Sequence, residues 1–363
     1  MTKTLYIASL HRPFNQQLKT SKWVCNFIGT SKKKIPSSVL IPEFYYHLIQ
    51  KVNKEYQKNV PKNFNGLPSD SAIKNISEFI LNRTKKEFME ELPQIVKSRK
   101  SAIEKQIYST YKAASYYVNL AKDKFGLIND KNQLTETGKE LLNIRSGFFK
   151  ISNTEANFYF LRIIEADFHL FMTHCFFLKL QNKHKNEIDD FVKLQIEFIN
   201  QYLGIKHFNF TNSSIGNYNV VRQSWVESLN VTDDNSNIRK RYLQIIEQHD
   251  NFGPMFSELK SLFKLFEKEN FKAKSSYLAR KNKFLALYSH NLKTSHADQG
   301  FVNLYDIKAE MKMSLPNFQN FLVNFYEDEK NLRNIYFSNP VTSIDRRERF
   351  FIRNRPVLKI KIK

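Results

Sequence analysis

From Ile73 to Phe88 the apolar residues fall at Ile73, Ile76, Phe79, Ile80 and Phe88, spaced three, four or eight apart. That is the period of a helix with one buried face, and Ser69 and Asp70 just before it are suitable caps. A second helix is predicted over 98–125, with Ile103, Ile107, Tyr111, Ala114, Tyr117 and Leu120 along one side. The 147–270 stretch is mostly helical in pattern, with Ser152 or Asn153 opening one helix and Gly204 closing another. Residues 1–70 are more broken. The runs LYIAS, WVCNFIG and SVLIPEFYYHLI predict one or two strands and then a helix near 42–53. No repeat of fixed period is visible. The fold class expected is mainly α with small β-sheets, in several domains: 1–70 mixed α/β, 71–150 helical, 151–270 a helical middle, and 271–363.

Between the second helix and the Phe-rich middle lies GLINDKNQLTETGKELLNI, 126–144. Gly126 can end a helix in a left-handed cap, Leu127 and Ile128 form a buried pair, and Asn129-Asp130-Lys131-Asn132 is turn chemistry. Thr135 then caps a helix containing Gly138, Leu141 and Leu142. The last ninety residues show a longer order. SSYLARKNKFLALYSHNLKT is a basic amphipathic helix, GFVNL a short strand and YDIKAEMKM a helix. Ser314 with Pro316 opens LPNFQNFLVNFYEDEK, a helix burying Leu315, Phe318, Leu322 and Phe325. NIYFS is a strand, NPVTSIDRRER a basic loop and FFIRNRPVLKIKIK an alternating strand.

Helix, strand, helix, helix, strand, loop, strand resembles a winged-helix domain over 271–363, and 101–144 resembles the end of a second one. The resemblance implies DNA, or another nucleic acid, as partner. It makes the helix from Ser314 the recognition helix, whose amides Asn317, Gln319, Asn320 and Asn324 suit adenine edges or phosphates. The loop would be the wing, with Arg346, Arg347 and Arg349 reaching phosphates, and Arg353 and Arg355 extending its basic face. Glu327, Asp328 and Glu329 at the end of that helix oppose this, because they would repel phosphate.

Charge agrees with a polyanion partner. The net charge is +22, and 1–100 carries 18 Lys/Arg against 7 Asp/Glu, 271–363 carries 18 against 8, and 101–270 carries 21 against 20. Bias toward Lys, Asn, Ile and Phe along the whole chain would not leave the middle neutral. Two cysteines, Cys25 and Cys175, build no disulfide framework and fit a reducing cytoplasm. No apolar run is long enough for a membrane span, so no membrane partner is expected.

Catalytic motifs are few. No phosphate-binding G-x-x-x-x-G-K-[ST] loop and no G-x-S-x-G elbow occurs. Glu165, Asp167 and His169 read as the outer face of a half-buried helix. Asp306, Glu310 and Lys312 have the residue types of a metal-dependent nuclease, but their helical spacing would keep the carboxylates from converging on one metal. No cofactor and no metal site is expected. The function expected is a non-catalytic DNA-binding protein, a specificity or loading subunit with protein partners in a prokaryotic DNA-processing or antiphage defence assembly. Alternatives are a nuclease with a divergent site, a replication-initiator-like protein and a protein-interaction scaffold.

Overall fold

The computed structural model describes residues 4–8, 10, 18–31, 34–58, 70–184, 190–205, 211–293, 299–339 and 349–363. The chain is 70% helical, with small antiparallel sheets of 2–3 strands. It divides into two compact units, Met1–Leu262 and Phe263–Lys363. The segments 1–70 and 71–150, with 151–270 as far as Leu262, lie within the first unit.

In the first unit the helices are α1 (Lys19–Thr30), α2 (Ser37–Tyr56), α3 (Asp70–Leu81), α4 (Lys85–Ser98), α5 (Ala102–Asn119), α6 (Glu136–Asn143), α7 (Asn153–Lys183), α8 (Phe191–Gln201), α9 (Asn212–Leu229) and α10 (Lys240–Gln248). The unit boundary falls inside α11 (Phe252–Lys293). WVCNFIG belongs to α1 and is not a strand. Trp23, Val24, Phe27 and Ile28 are all buried, a pairing of adjacent positions one turn apart that a helix buries together. The helix expected over 69–96 is two, because Thr84 forms a capping box with Glu87 and restarts the chain. Ser69 lies outside the described residues. Ser152 does cap α7, again in a box with Glu155, and Gly204 has φ +66° after α8.

α7 is the central helix, and the reading of its polar residues needs correction. Asp167 and His169 are buried, and only Glu165 lies near the surface. Asp167 has φ −146° and ψ 29°, a break in an otherwise continuous helix. There the N-terminal segment passes alongside it. The Tyr6 N–H donates to His169 Nδ1 at 3.0 Å, and the His169 N–H, released from the helical ladder, donates to the Tyr6 carbonyl at 3.2 Å. The Ala8 N–H donates to Asp167 Oδ1 at 2.9 Å. From α9 the buried Arg222 places Nη2 2.7 Å from Asp167 Oδ2, and its Nη1 donates to the Leu10 and Tyr218 carbonyls. A side chain and a passing strand of backbone interrupting the ladder is a recognised cause of a kink.

A second buried ion group joins α1 to the start of α7. Lys19 Nζ donates to both Glu155 oxygens at 2.8 and 2.7 Å, and Lys22 stands 3.6 Å from the same carboxylate. Lys19 and Lys22 also donate to Ser146, Lys22 donates to the Ile144 carbonyl, and Trp23 Nε1 donates to the Phe148 carbonyl. α1 thereby fixes the loop that follows α6. Cys25 and Cys175 are buried free thiols, both pushed up to about 12 by burial, so neither is a nucleophile at neutral pH.

The segment 126–144 folds as its residues suggest, and it has a structural twin. Ile128 and Leu134 form an antiparallel bridge, and so do Thr232 and Ile238. Gly126 and Asn230, before each bridge, have φ of 59° and 54°; Asn132 and Ser236, after each turn, have 55° and 60°. Asn129 Oδ1 accepts from the N–H groups of Lys131 and Gln133, and Asp233 Oδ1 accepts from those of Asn235 and Asn237. The closing bonds match as well, Thr135 N–H to Leu127 and Arg239 N–H to Val231. The flanking helices correspond: α4 and α5 with α8 and α9, then α6 with α10. Only Asp130 and Asp234 are identical between the two hairpins. The same backbone is reached through different residues, which is why no repeat shows in the sequence.

In the second unit β1 (Val302–Asn303), α12 (Leu304–Met311), α13 (Leu315–Glu329), β2 (Ile335–Ser338), β3 (Phe350–Ile352), β4 (Arg355–Val357) and β5 (Lys359–Ile362) follow the end of α11. β5 lies between β1 and β2, antiparallel to both. The C-terminal stretch expected as one strand is three. β3 and β4 form a separate hairpin whose turn, Arg353-Asn354, has positive φ at both residues. Phe284, Phe318, Phe321, Leu322, Phe325, Phe350 and Ile360 form the core of this unit.

Truncating either partner of the Asp167–Arg222 pair leaves the other charge buried and alone. Asp167→Ala and Arg222→Ala are each expected to cost about 3–5 kcal/mol in urea unfolding, and Asp167→Leu with Arg222→Met to cost less than either. Titration of this cluster has two opposing signs. Burial holds His174 down to about 4, so its neutral form contributes stability above the ordinary histidine range and loses it as pH falls from about 6.5 to 4. Burial raises Asp167 to about 6 against the pull of Arg222 and the Ala8 N–H, so its contribution is present below about 4 and lost as pH rises to 6. Relative to the native chain, His174→Gln should therefore unfold less readily at pH 4 than at pH 7, and Asp167→Asn more readily, in urea titrations at the two pH values.

Candidate nucleic-acid interface

The helix α13 begins after Ser314, which stands at the N-cap position without a side-chain cap bond, and Pro316 sits in its first turn. Phe318, Phe321, Leu322 and Phe325 face the core. The opposite stripe carries Asn317, Asn320, Val323 and Asn324, all exposed. The helix has no Lys or Arg from Leu315 to Glu329.

Gln319 is occupied differently from the other amides. Its Nε2 donates to the Phe351 carbonyl at 2.7 Å, and its Oε1 accepts from the Phe351 N–H at 2.9 Å. Both ends of the amide are thus committed to β3, and Phe318 packs on Phe350 at 5.1 Å between ring centres. Further along, the Arg353 guanidinium lies 5.4 Å from the Tyr326 ring centre and 3.4 Å from Glu327. The β3–β4 hairpin therefore runs beside α13, holding Arg353 at the helix's later turns. Arg353 and Arg355 are exposed, and Arg349 is half-buried. Arg346 and Arg347 lie outside the described residues.

The acidic end of α13 is covered by cations. Glu329 is 2% exposed and pairs with Lys281 and Arg333, both at 2.5 Å. These contacts hold its carboxyl below the usual range although burial opposes them. Asp328 accepts from the Tyr277 hydroxyl at 2.8 Å and lies 3.8 Å from Lys281. Glu327 meets Lys330 and Arg353. Sequence reasoning missed this neutralisation because Lys281 comes from α11, far away along the chain.

On the outer face of the three-stranded sheet, Tyr336 pairs with Lys361 and Ser338 with Lys359. Lys361 lies 5.5 Å from the Phe301 ring centre and Lys363 5.9 Å from that of Tyr336. Lys361 also donates to the Gln299 carbonyl at 2.8 Å.

Asp306 and Glu310 sit one turn apart on the exposed face of α12, and Glu310 accepts from Asn291 at 2.9 Å. Lys312 ends that helix at φ 53°. Among the described residues no group of three His, Cys, Asp or Glu side chains is placed to hold a metal ion. No described helix is long and apolar enough to cross a membrane.

Replacing Gln319 removes two bonds to one backbone unit. Gln319→Ala is expected to lower the stability of the second unit by about 1–3 kcal/mol, and Gln319→Glu to do the same because a carboxylate cannot donate to the Phe351 carbonyl. Urea unfolding followed by near-ultraviolet dichroism of the unit's aromatic core measures both. Comparison of the chain with family models, curated proteins and solved structures finds no match.

Proposed function

We propose that this protein binds nucleic acid, with duplex DNA as the favoured form, through α13 and the β3–β4 hairpin of its second unit. The observation that carries this reading is the pairing of an exposed asparagine stripe, Asn317, Asn320 and Asn324, with Arg353 held beside the same helix on the hairpin that Gln319 clamps. Amides can make two hydrogen bonds to an adenine edge, and arginines supply the phosphate contacts that fix register. The paired state of Glu327, Asp328 and Glu329 removes the main electrostatic objection. The order of the described elements resembles that of a winged helix, with an added hairpin, β3–β4, before the last strand. The role proposed within an assembly is that of a specificity or loading subunit, which supplies an address while partner proteins supply chemistry.

A second reading has its own observation. With no cation on α13 and Val323 exposed in its stripe, with Leu332 exposed just beyond, the same face suits a protein partner.

Fluorescence anisotropy with duplex DNA at two salt concentrations separates the readings. Binding should weaken steeply with salt, and Arg353→Ala or Arg355→Ala should weaken it for every sequence while lowering the salt slope by about one each. Asn320→Ala or Asn324→Ala should instead cost about 1–3 kcal/mol on the preferred sequence only. Salt-independent or absent binding would leave the protein-partner reading standing.

A further inference from the structure

The first unit contains a cavity that the interface above does not use. It lies between α1 and α2, has a volume of about 200 Å³, and is lined by Trp23, Asn26 and Thr30 from α1, by Phe44, His47, Leu48 and Lys51 from α2, and by Phe148. These positions recur three and four apart on each helix, so one face of each helix forms one wall. The third side is Phe148, whose ring stacks on Trp23 at 4.5 Å and 11°. That stacking is held from both directions. Trp23 Nε1 donates to the Phe148 carbonyl, and Lys22 and Lys19 bind the loop just before it.

Size narrows the ligand. A cavity of this volume holds about six waters at ~30 Å³ each, and it falls below the ~300 Å³ of ordinary drug-sized sites. One planar ring system fits. The chemistry of the walls narrows it further. Three aromatic rings and Leu48 suit a flat apolar face, while Asn26 and His47 offer donors and acceptors for a polar ring edge, and the Thr30 hydroxyl, which donates to the Asn26 and Phe27 carbonyls, offers an acceptor. No carboxylate or thiol lines the cavity, which disfavours a metal or an amine. Lys51 is exposed at the rim, and Lys85, paired with Glu43 at 3.4 Å, is near enough to lower the His47 pKa together with Lys51 and burial. A neutral imidazole there keeps one donor and one acceptor, and the rim stays cationic.

We propose that this cavity receives a single nucleobase, with its 5′ phosphate at Lys51. The base has two sources, a free nucleotide or a base turned out of a nucleic-acid strand, and aromatic stacking serves both. The proposal stands apart from the α13 interface, since the two lie in different units and each can fail alone.

The chain has two tryptophans, and Trp225 is fully buried, so Trp225→Phe leaves Trp23 as the reporter. The full chain in that background is titrated with adenosine, with 5′-AMP, and with a duplex bearing one unpaired base beside its fully paired control. Saturable change in Trp23 emission is expected with 5′-AMP if the source is a nucleotide, or with the unpaired-base duplex alone if it is a strand. Thr30→Phe, which fills the cavity from an exposed position, should abolish the change. Lys51→Ala should weaken the phosphate-bearing probe about tenfold, the scale of one charge-assisted contact, and leave adenosine within about twofold. The native chain melted with each probe repeats the measurement should Trp225→Phe fail to fold, since a ligand bound to the folded state raises the midpoint. No emission change and no thermal shift with any probe overturns the proposal. So does a change that survives Thr30→Phe, or a Lys51→Ala chain that binds whichever phosphate-bearing probe gave the change as tightly as the native one does.

Discussion

Asp167 and Arg222 form the contact on which the first unit turns. Neither is exposed beyond 1%, and removing two charges from water costs several kcal/mol each before any attraction returns it. A fully apolar pair of similar shape avoids that cost and so loses less stability than removing one partner alone. What an apolar pair could not do is hold three separate pieces of backbone in one register. Asp167 takes the Ala8 N–H, and Arg222 donates to the Leu10 carbonyl and its own helix at Tyr218. The described residues 4–8 and 10, none of them in a helix or strand, are positioned by these bonds and by the Tyr6–His169 pair.

Part of this was written in the sequence and misread. α7 buries Phe158, Tyr159, Phe160, Ile163, Ile164, Phe168, Leu170, Phe171 and Met172, which together surround the helix. A helix apolar on every side lies in the middle of a fold, so polar residues within it are buried too. Glu155, Asp167, His169 and His174 follow that rule, and reading Asp167 and His169 as surface residues applied the logic of a one-sided helix. Arg222 had no such signal, because its partner is distant in the chain. Local features fared better. Gly126, Thr135 and Ser152 each needed only a backbone angle or a cap, and each is found in that role. Gly138 is required for closeness: a Cβ there would stand 2.2 Å from the Leu127 carbonyl oxygen.

The paired hairpins show where such local reasoning stops. A left-handed residue before the strand is supplied by glycine in one copy and asparagine in the other. The turn is closed by an asparagine carbonyl in one and an aspartate carboxylate in the other. Each substitution satisfies the same backbone requirement, so the geometry persists while the letters change. The helices that follow then diverge in packing. Where α6 has Gly138 against the hairpin backbone, α10 has Tyr242, whose hydroxyl donates to the Leu229 carbonyl. Duplication at the level of conformation is therefore compatible with two modules that present different surfaces.

The second unit separates two tasks that basic helices often combine. α13 offers amides without a cation of its own, and the cations beside it come from the hairpin and from partners that already neutralise its acidic end. Under the proposed nucleic-acid reading, long-range attraction to a polyanion would depend on the hairpin and the C-terminal strand, while the helix would contribute only where it touches. Such a division would lower non-specific affinity, which grows with every neutralised phosphate, and would leave the contribution of each amide dependent on the base opposite it. Because Gln319 ties the hairpin to α13 through backbone atoms, the spacing between charge and amides is fixed by the fold and does not rely on long flexible side chains.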